Sequence, residues 1–160
     1  MTRFRCTALP TETARRFRAS GRDDRGAPIL RRICDGPGFP CRHCLKLARP
    51  GEEMLLASWD LPRPLGTYWT PSPVFLHADD CAPHAGEDSL PETVLANPLI
   101  SLRSYDAEGL CLYDLGQVLP GAEAEAPLRL ALDDPRTAFV NIHTARPGCW
   151  LAGAERITPR

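Results

Sequence analysis

Proline breaks this sequence so often that long regular elements have little room between the breaks. The 160 residues include seventeen prolines, about twice the usual share of ~5%. Proline fixes φ and lacks a backbone donor, so helix interiors and central strands reject it. Short, interrupted elements joined by long Pro-rich loops follow. The class that suits them is α+β, as a single domain over residues 1–160. It is expected to hold a mostly antiparallel sheet of about six to eight strands and three or four short helices. A chain of this length buries roughly 68–70% of its unfolded surface and needs no disulfide to keep a core.

The periodicity agrees. Phe4, Cys6 and Ala8 alternate with polar neighbours and predict a strand, and Thr11 caps a helix that Gly21 ends. Further strands are predicted at 28–34, 54–59 and 73–78, a short helix after Pro91, and another from Pro127 to Asp134. Residues 99–105 and 110–113 flank a turn at Asp106–Gly109, and 138–143 and 149–153 flank another at Arg146-Pro147-Gly148. In that last hairpin His143 and Cys149 either face each other as a pair, or Cys149 packs in the core while His143 stays at the surface; the second reading is preferred. Trp69 and Tyr68 cover the core edge from a Pro-rich loop.

The chemistry concentrates at Cys41-Arg42-His43-Cys44, a C-x2-C pair, and at His77 with Cys81, an H-x3-C pair. Two thiols at the first spacing converge on one point when the backbone turns tightly, which suits one metal ion or one disulfide. Pro40 before the pair and Pro50-Gly51 after it predict a short helix opened by Cys41, where the helix dipole favours thiolate. Cys41, Cys44, His77 and Cys81 make a Cys3His ligand set for a structural Zn2+, with His84, Cys34 or Cys149 as substitutes for any one member. A different class of function uses the same residues for thiol chemistry: Cys41 attacks, Cys44 resolves, and His43 or His77 takes the proton. In a third, the cysteines are only structural parts of a metal-free binding or interaction module. No catalytic residue is assigned, and no dinucleotide, P-loop or nucleophile-elbow signature is present.

Charge bears on partners. Residues 1–50 carry twelve Arg or Lys against four Asp or Glu, and residues 51–160 seven against sixteen, so nets of +8 and −9 give the overall −1. The expectation is that the halves neutralise each other within one fold or between two copies, without nucleic-acid binding. The longest uncharged run, Pro64–Ala78, is too short and too rich in proline to cross a membrane, so no membrane partner is expected. A protein or small-molecule partner stays unspecified. Seven cysteines, an odd number, and an N-terminus without an apolar signal core point to reduced thiols and the cytoplasm.

The segments Pro40–Leu45, Pro73–His77 with Cys81, Arg103–Asp106 and Gly148–Trp150 together resemble a bacterial family of small proteins classified as a domain of unknown function. The resemblance spans most of the chain and implies no activity, cofactor or catalytic residue.

Overall fold

A computed structural model describes residues 1–158. Eight strands form two antiparallel sheets. The first takes β1 (Phe4–Thr7), β5 (Ile100–Tyr105), β6 (Gln117–Leu119), β7 (Phe139–Thr144) and β8 (Trp150–Arg156) in the order β1-β8-β7-β5-β6. The second takes β2 (Leu30–Ile33), β3 (Glu53–Asp60) and β4 (Pro71–His77) in chain order. Three α-helices, α1 (Thr11–Ser20), α2 (Glu92–Leu95) and α3 (Glu125–Asp133), cover them. The α+β class and the antiparallel pairing hold, but the sheet is divided in two. Among the described residues no helix is long and apolar enough to cross a membrane.

Each sheet has its own core. Leu128, Ala131 and Leu132 of α3, one stripe at helical spacing, pack with Phe4, Val94, Ile100, Leu102, Val140, Ile142 and Leu151. Ala14 and Phe17 of α1 pack with Met54, Leu55, Trp59, Val74 and Leu76, and this second core also takes Cys41 and Cys44. Trp150, at the start of β8, fastens the two together. Its ring meets Trp59 edge-on at 5.1 Å. Its backbone N–H donates to Ser72 Oγ at 2.9 Å, and its indole N–H donates to Asn141 Oδ1 at 3.2 Å.

Local expectations fare unevenly. Gly21 ends α1 in the left-handed region at φ 64°, as its position suggests. Thr11, however, is the first helical residue and not the cap; Pro10 holds that position, and the Thr11 hydroxyl bonds His43 Nε2 at 2.8 Å. The Asp106–Gly109 turn forms, yet its returning segment keeps only an isolated bridge at Cys111 before a 3-10 turn at Tyr113–Leu115 and then β6. α3 begins two residues ahead of Pro127, which falls inside the first turn where its missing N–H costs nothing. Gly121 matters for a different reason: its N–H donates to Asn97 O, and a Cβ there would lie 1.8 Å from Val94 O.

Five basic side chains of the first fifty residues bond acids beyond residue 50: Arg3 with Glu87, Arg5 with Glu155, Arg18 with Asp80, Arg25 with Asp60 and Arg31 with Glu53. Such exposed pairs contribute little stability each, but they bring the two charge blocks face to face.

Candidate metal centre

Residues 39–48 form a tight hairpin laid against β4, not the helix expected from the prolines. Ala48 N–H donates to Phe39 O, Cys41 N–H to Lys46 O, Leu45 N–H to Cys41 O, and Arg42 N–H to Phe75 O of β4. Leu45 adopts φ 55°, a left-handed conformation that costs a branched residue roughly 1–2 kcal/mol. Its side chain is buried in the first core at 1% exposure, and fully burying a leucine contributes about 1.5–3 kcal/mol. Burial therefore outweighs strain, and the chain reverses where a helix would have continued. The reversal turns the Cys44 N–H toward Cys41 Sγ and the Lys46 N–H toward Cys44 Sγ.

His77 ends β4 beside this hairpin, and the following loop brings back Cys81. The ligand atoms of Cys41, Cys44, His77 and Cys81 all lie within 4.8 Å of one another. Cys41 Sγ and Cys81 Sγ are 3.9 Å apart, and Cys44 Sγ and His77 Nδ1 3.6 Å. Bonds of ≈2.3 Å to sulfur and ≈2.0–2.1 Å to nitrogen, at tetrahedral angles, place two sulfurs about 3.8 Å apart and sulfur and nitrogen about 3.6 Å apart. The Cys41–Cys81 and Cys44–His77 separations match these distances, and with all four atoms within 4.8 Å of one another the cluster can hold a metal ion. His84, Cys34 and Cys149 stand outside it among the described residues. Cys34 Sγ instead lies 3.2 Å from Gly36 O and 3.7 Å from Ala48 O.

The surrounding groups suit the same purpose. His77 turns Nδ1 to the sulfurs and Nε2 to Glu52 Oε2 at 2.7 Å. A carboxylate behind a ligating histidine fixes its tautomer and orientation. His43 Nδ1 lies 3.1 Å from Cys81 Sγ, and Arg18 Nη2 lies 3.4 Å from the same sulfur, while Arg18 Nε donates to His77 O. Thr11 Oγ1 and Cys81 Sγ thus meet the two ring nitrogens of His43, one of which donates and the other accepts in the neutral imidazole. Burial pushes His43 below its ordinary value and so keeps it neutral.

The four groups share charge and protons. Hydrogen bonds from Cys44 and Cys81 hold Cys41 far below the ordinary thiol range, and Cys44, which donates to Cys41, is pushed far above it. His77 is raised to about 10, chiefly by hydrogen bonding to Cys41 and then to Cys81. The sulfur 3.6 Å from Nδ1 is that of Cys44, which is held in the thiol form, so the rise follows Cys41 and Cys81, which both hydrogen-bond and lend negative charge. The helix dipole expected to activate Cys41 has no part in this, since no helix begins there. Cys41 is also fully buried, which keeps an external disulfide away from it.

Neither reading of the last hairpin holds: the less favoured His143–Cys149 pair does not form, and the preferred placement of Cys149 in the core with His143 at the surface fails as well. His143 stands opposite Trp150 in the β7–β8 register, and its Nδ1–H donates to Gly148 O at 2.9 Å. It is buried, not exposed, and burial lowers its pKa to about 4. Cys149 is half-buried and donates its N–H to Thr144 Oγ1. The sequence reading did not single out Glu52 or Arg18, and it assigned His43 only to thiol chemistry.

Fold and site together define an α+β protein with a Cys3His cluster capable of holding a metal, set between a β-hairpin and the end of a strand. The chain belongs to DUF1203, a family described as proteins of unknown function, whose model matches residues 38–156. That span includes all four cluster residues and Glu52. No curated protein and no solved structure matches the chain.

Proposed function

We propose that the chain binds one structural Zn2+ through the thiolates of Cys41, Cys44 and Cys81 and through His77 Nδ1. The observation that carries this reading is the convergence of three sulfurs and one imidazole nitrogen within 4.8 Å of one another, with the Cys41–Cys81 and Cys44–His77 separations at tetrahedral zinc distances. Zn2+ suits three soft thiolates and an imidazole, and four protein ligands leave no position open for substrate water. The role is therefore to fasten the hairpin at 39–48 to the end of β4 and the loop carrying Cys81. Binding displaces the protons that the sulfurs now share, so it links folding to metal.

Protein purified without an affinity metal under reducing conditions is expected to contain one zinc per chain. Chelation should lower the melting temperature, Cys41→Ser or Cys81→Ser should lower it by nearly as much, and chelating either variant should add little. Zinc well below one equivalent, or additive losses from chelation and substitution, would sink the reading. Retention of zinc by His77→Ala would move the fourth ligand elsewhere.

A further inference from the structure

A second site lies on the far side of the hairpin at 39–48. A cleft of about 550 Å³ opens there, with apolar walls that include Pro40, Leu47, Leu56, Phe75 and Pro98. None of the four cluster residues lines it. Two polar side chains on its wall have hydrogen-bonding capacity to spare, and one of them, Thr93, is a buried group without a partner. Thr93, 1% exposed, has an Oγ1 with no hydrogen-bond partner. Arg42, 3% exposed, donates Nε–H to Trp150 O and Nη1–H to Pro40 O, each at 2.8 Å. Its Nη2 has no hydrogen bond among the described residues and is not itself fully buried, so it is the part of the guanidinium left open on the cleft wall, and no carboxylate pairs with it among those residues.

Buried ionised groups are normally paired, and a buried hydroxyl is normally bonded, because leaving either alone is costly. The charges of Cys149 and Cys41 favour the guanidinium of Arg42 at a distance, but no cluster atom hydrogen-bonds to it. The guanidinium that reaches a cluster sulfur is that of Arg18, whereas both recorded bonds of Arg42 run to carbonyls. An apolar cleft with a few convergent polar groups, in the range of roughly 300–1,000 Å³, is the usual form of a small-molecule site.

We propose that this cleft binds a small organic carboxylate with an apolar body, its carboxylate held by Arg42 Nη2 and the Thr93 hydroxyl and its body against Leu47, Leu56, Phe75 and Pro98. One guanidinium and one hydroxyl suit a planar monoanion. Arg146, Asn97 and Thr144 also line the cleft, but a phosphate, more highly charged and more strongly hydrated than a carboxylate, suits walls that are mostly apolar less well. The site is separate from the zinc reading and does not require it.

The test is calorimetric titration of the reduced, full-length protein with octanoate and 3-phenylpropionate, each against the alcohol of matching shape, with zinc content measured on the same sample. Sub-millimolar binding of the acids is expected, with the alcohols about tenfold weaker or worse. Thr93→Val keeps the shape and removes the hydroxyl, so the acids should weaken about fivefold while the alcohols hardly change. Ala96→Trp, an exposed position on the cleft wall, should block both ligands; it also serves if an Arg42→Lys variant does not fold. Bound octanoate should slow alkylation of Cys149, which lines the cleft, without protecting Cys111, which does not. Equal binding of acid and alcohol, no binding of either acid at several millimolar, or unchanged acid affinity in Thr93→Val would each overturn the proposal, whatever the zinc content.

Discussion

Removing the Glu52 carboxylate should weaken zinc binding without touching a ligand. Glu52 Oε2 sits 2.7 Å from His77 Nε2, within the short range of charge-assisted hydrogen bonds. Loss of such a carboxylate behind a ligating histidine costs 10–100-fold in metal affinity. The His77 side chain is 14% exposed but that of Glu52 is 37% exposed, so water can replace part of what is lost. The expected effect of Glu52→Ala is therefore at the low end, about tenfold or about 1.4 kcal/mol. Glu52→Gln keeps an oxygen that can accept from Nε2–H and should lose only a few-fold. The neighbouring Glu53 pairs with Arg31 at the surface, so Glu53→Ala should leave zinc alone. Competition against a chromogenic chelator near neutral pH, under reducing conditions, reads all three. If Glu52→Ala binds within about twofold of the parent, or Glu53→Ala loses as much, the carboxylate does not support His77 as argued.

Two further outcomes follow from the packing. His143 is lowered to about 4 in the folded chain against an ordinary 6.5, so below pH 6.5 the unfolded state takes up the proton more readily. The stability its neutral form contributes is present above pH 6.5 and lost as pH falls towards 4, up to about 3 kcal/mol; urea unfolding across that window should be steeper in pH for the parent than for His143→Leu, and parallel curves would refute it. Gly121→Ala would press a Cβ to 1.8 Å from Val94 O and should cost about 3 kcal/mol; an unchanged melting temperature would mean that the 3-10 turn at Gly121–Glu123 and helix α2 are not in such close approach.

The elements that could be read from the sequence are those whose signals are local. Alternation over Phe4–Cys6 and over Phe139–His143, the Gly21 stop and the Asp106–Gly109 turn depend on residues a few positions apart, and each appears where expected. The division into two sheets was not legible in that way. It is a matter of which strands pair, and the joining of the two sheets rests on Trp150 meeting Trp59 and Ser72 across the fold, contacts that no period within one segment reports. The cysteine hairpin failed for a sharper reason. Its prolines permit a helix, and what prevents one is the burial of Leu45 in a core assembled from strands far along the chain.

The cluster shows the same boundary between local and distant information. C-x2-C and H-x3-C name the four cluster residues because each half is compact in sequence, and the spacing alone brings its two members to one point. The groups that tune them are known only through register. Met54 pairs with His77 across β3 and β4, so the residues just ahead of Met54 arrive beside the end of β4. Glu52 and Glu53 are adjacent and chemically identical, yet one meets His77 and the other meets Arg31. Successive side chains of an extended backbone point opposite ways, and a shift of one residue in the pairing would exchange their roles. The support behind the histidine is thus a property of the strand register rather than of either glutamate.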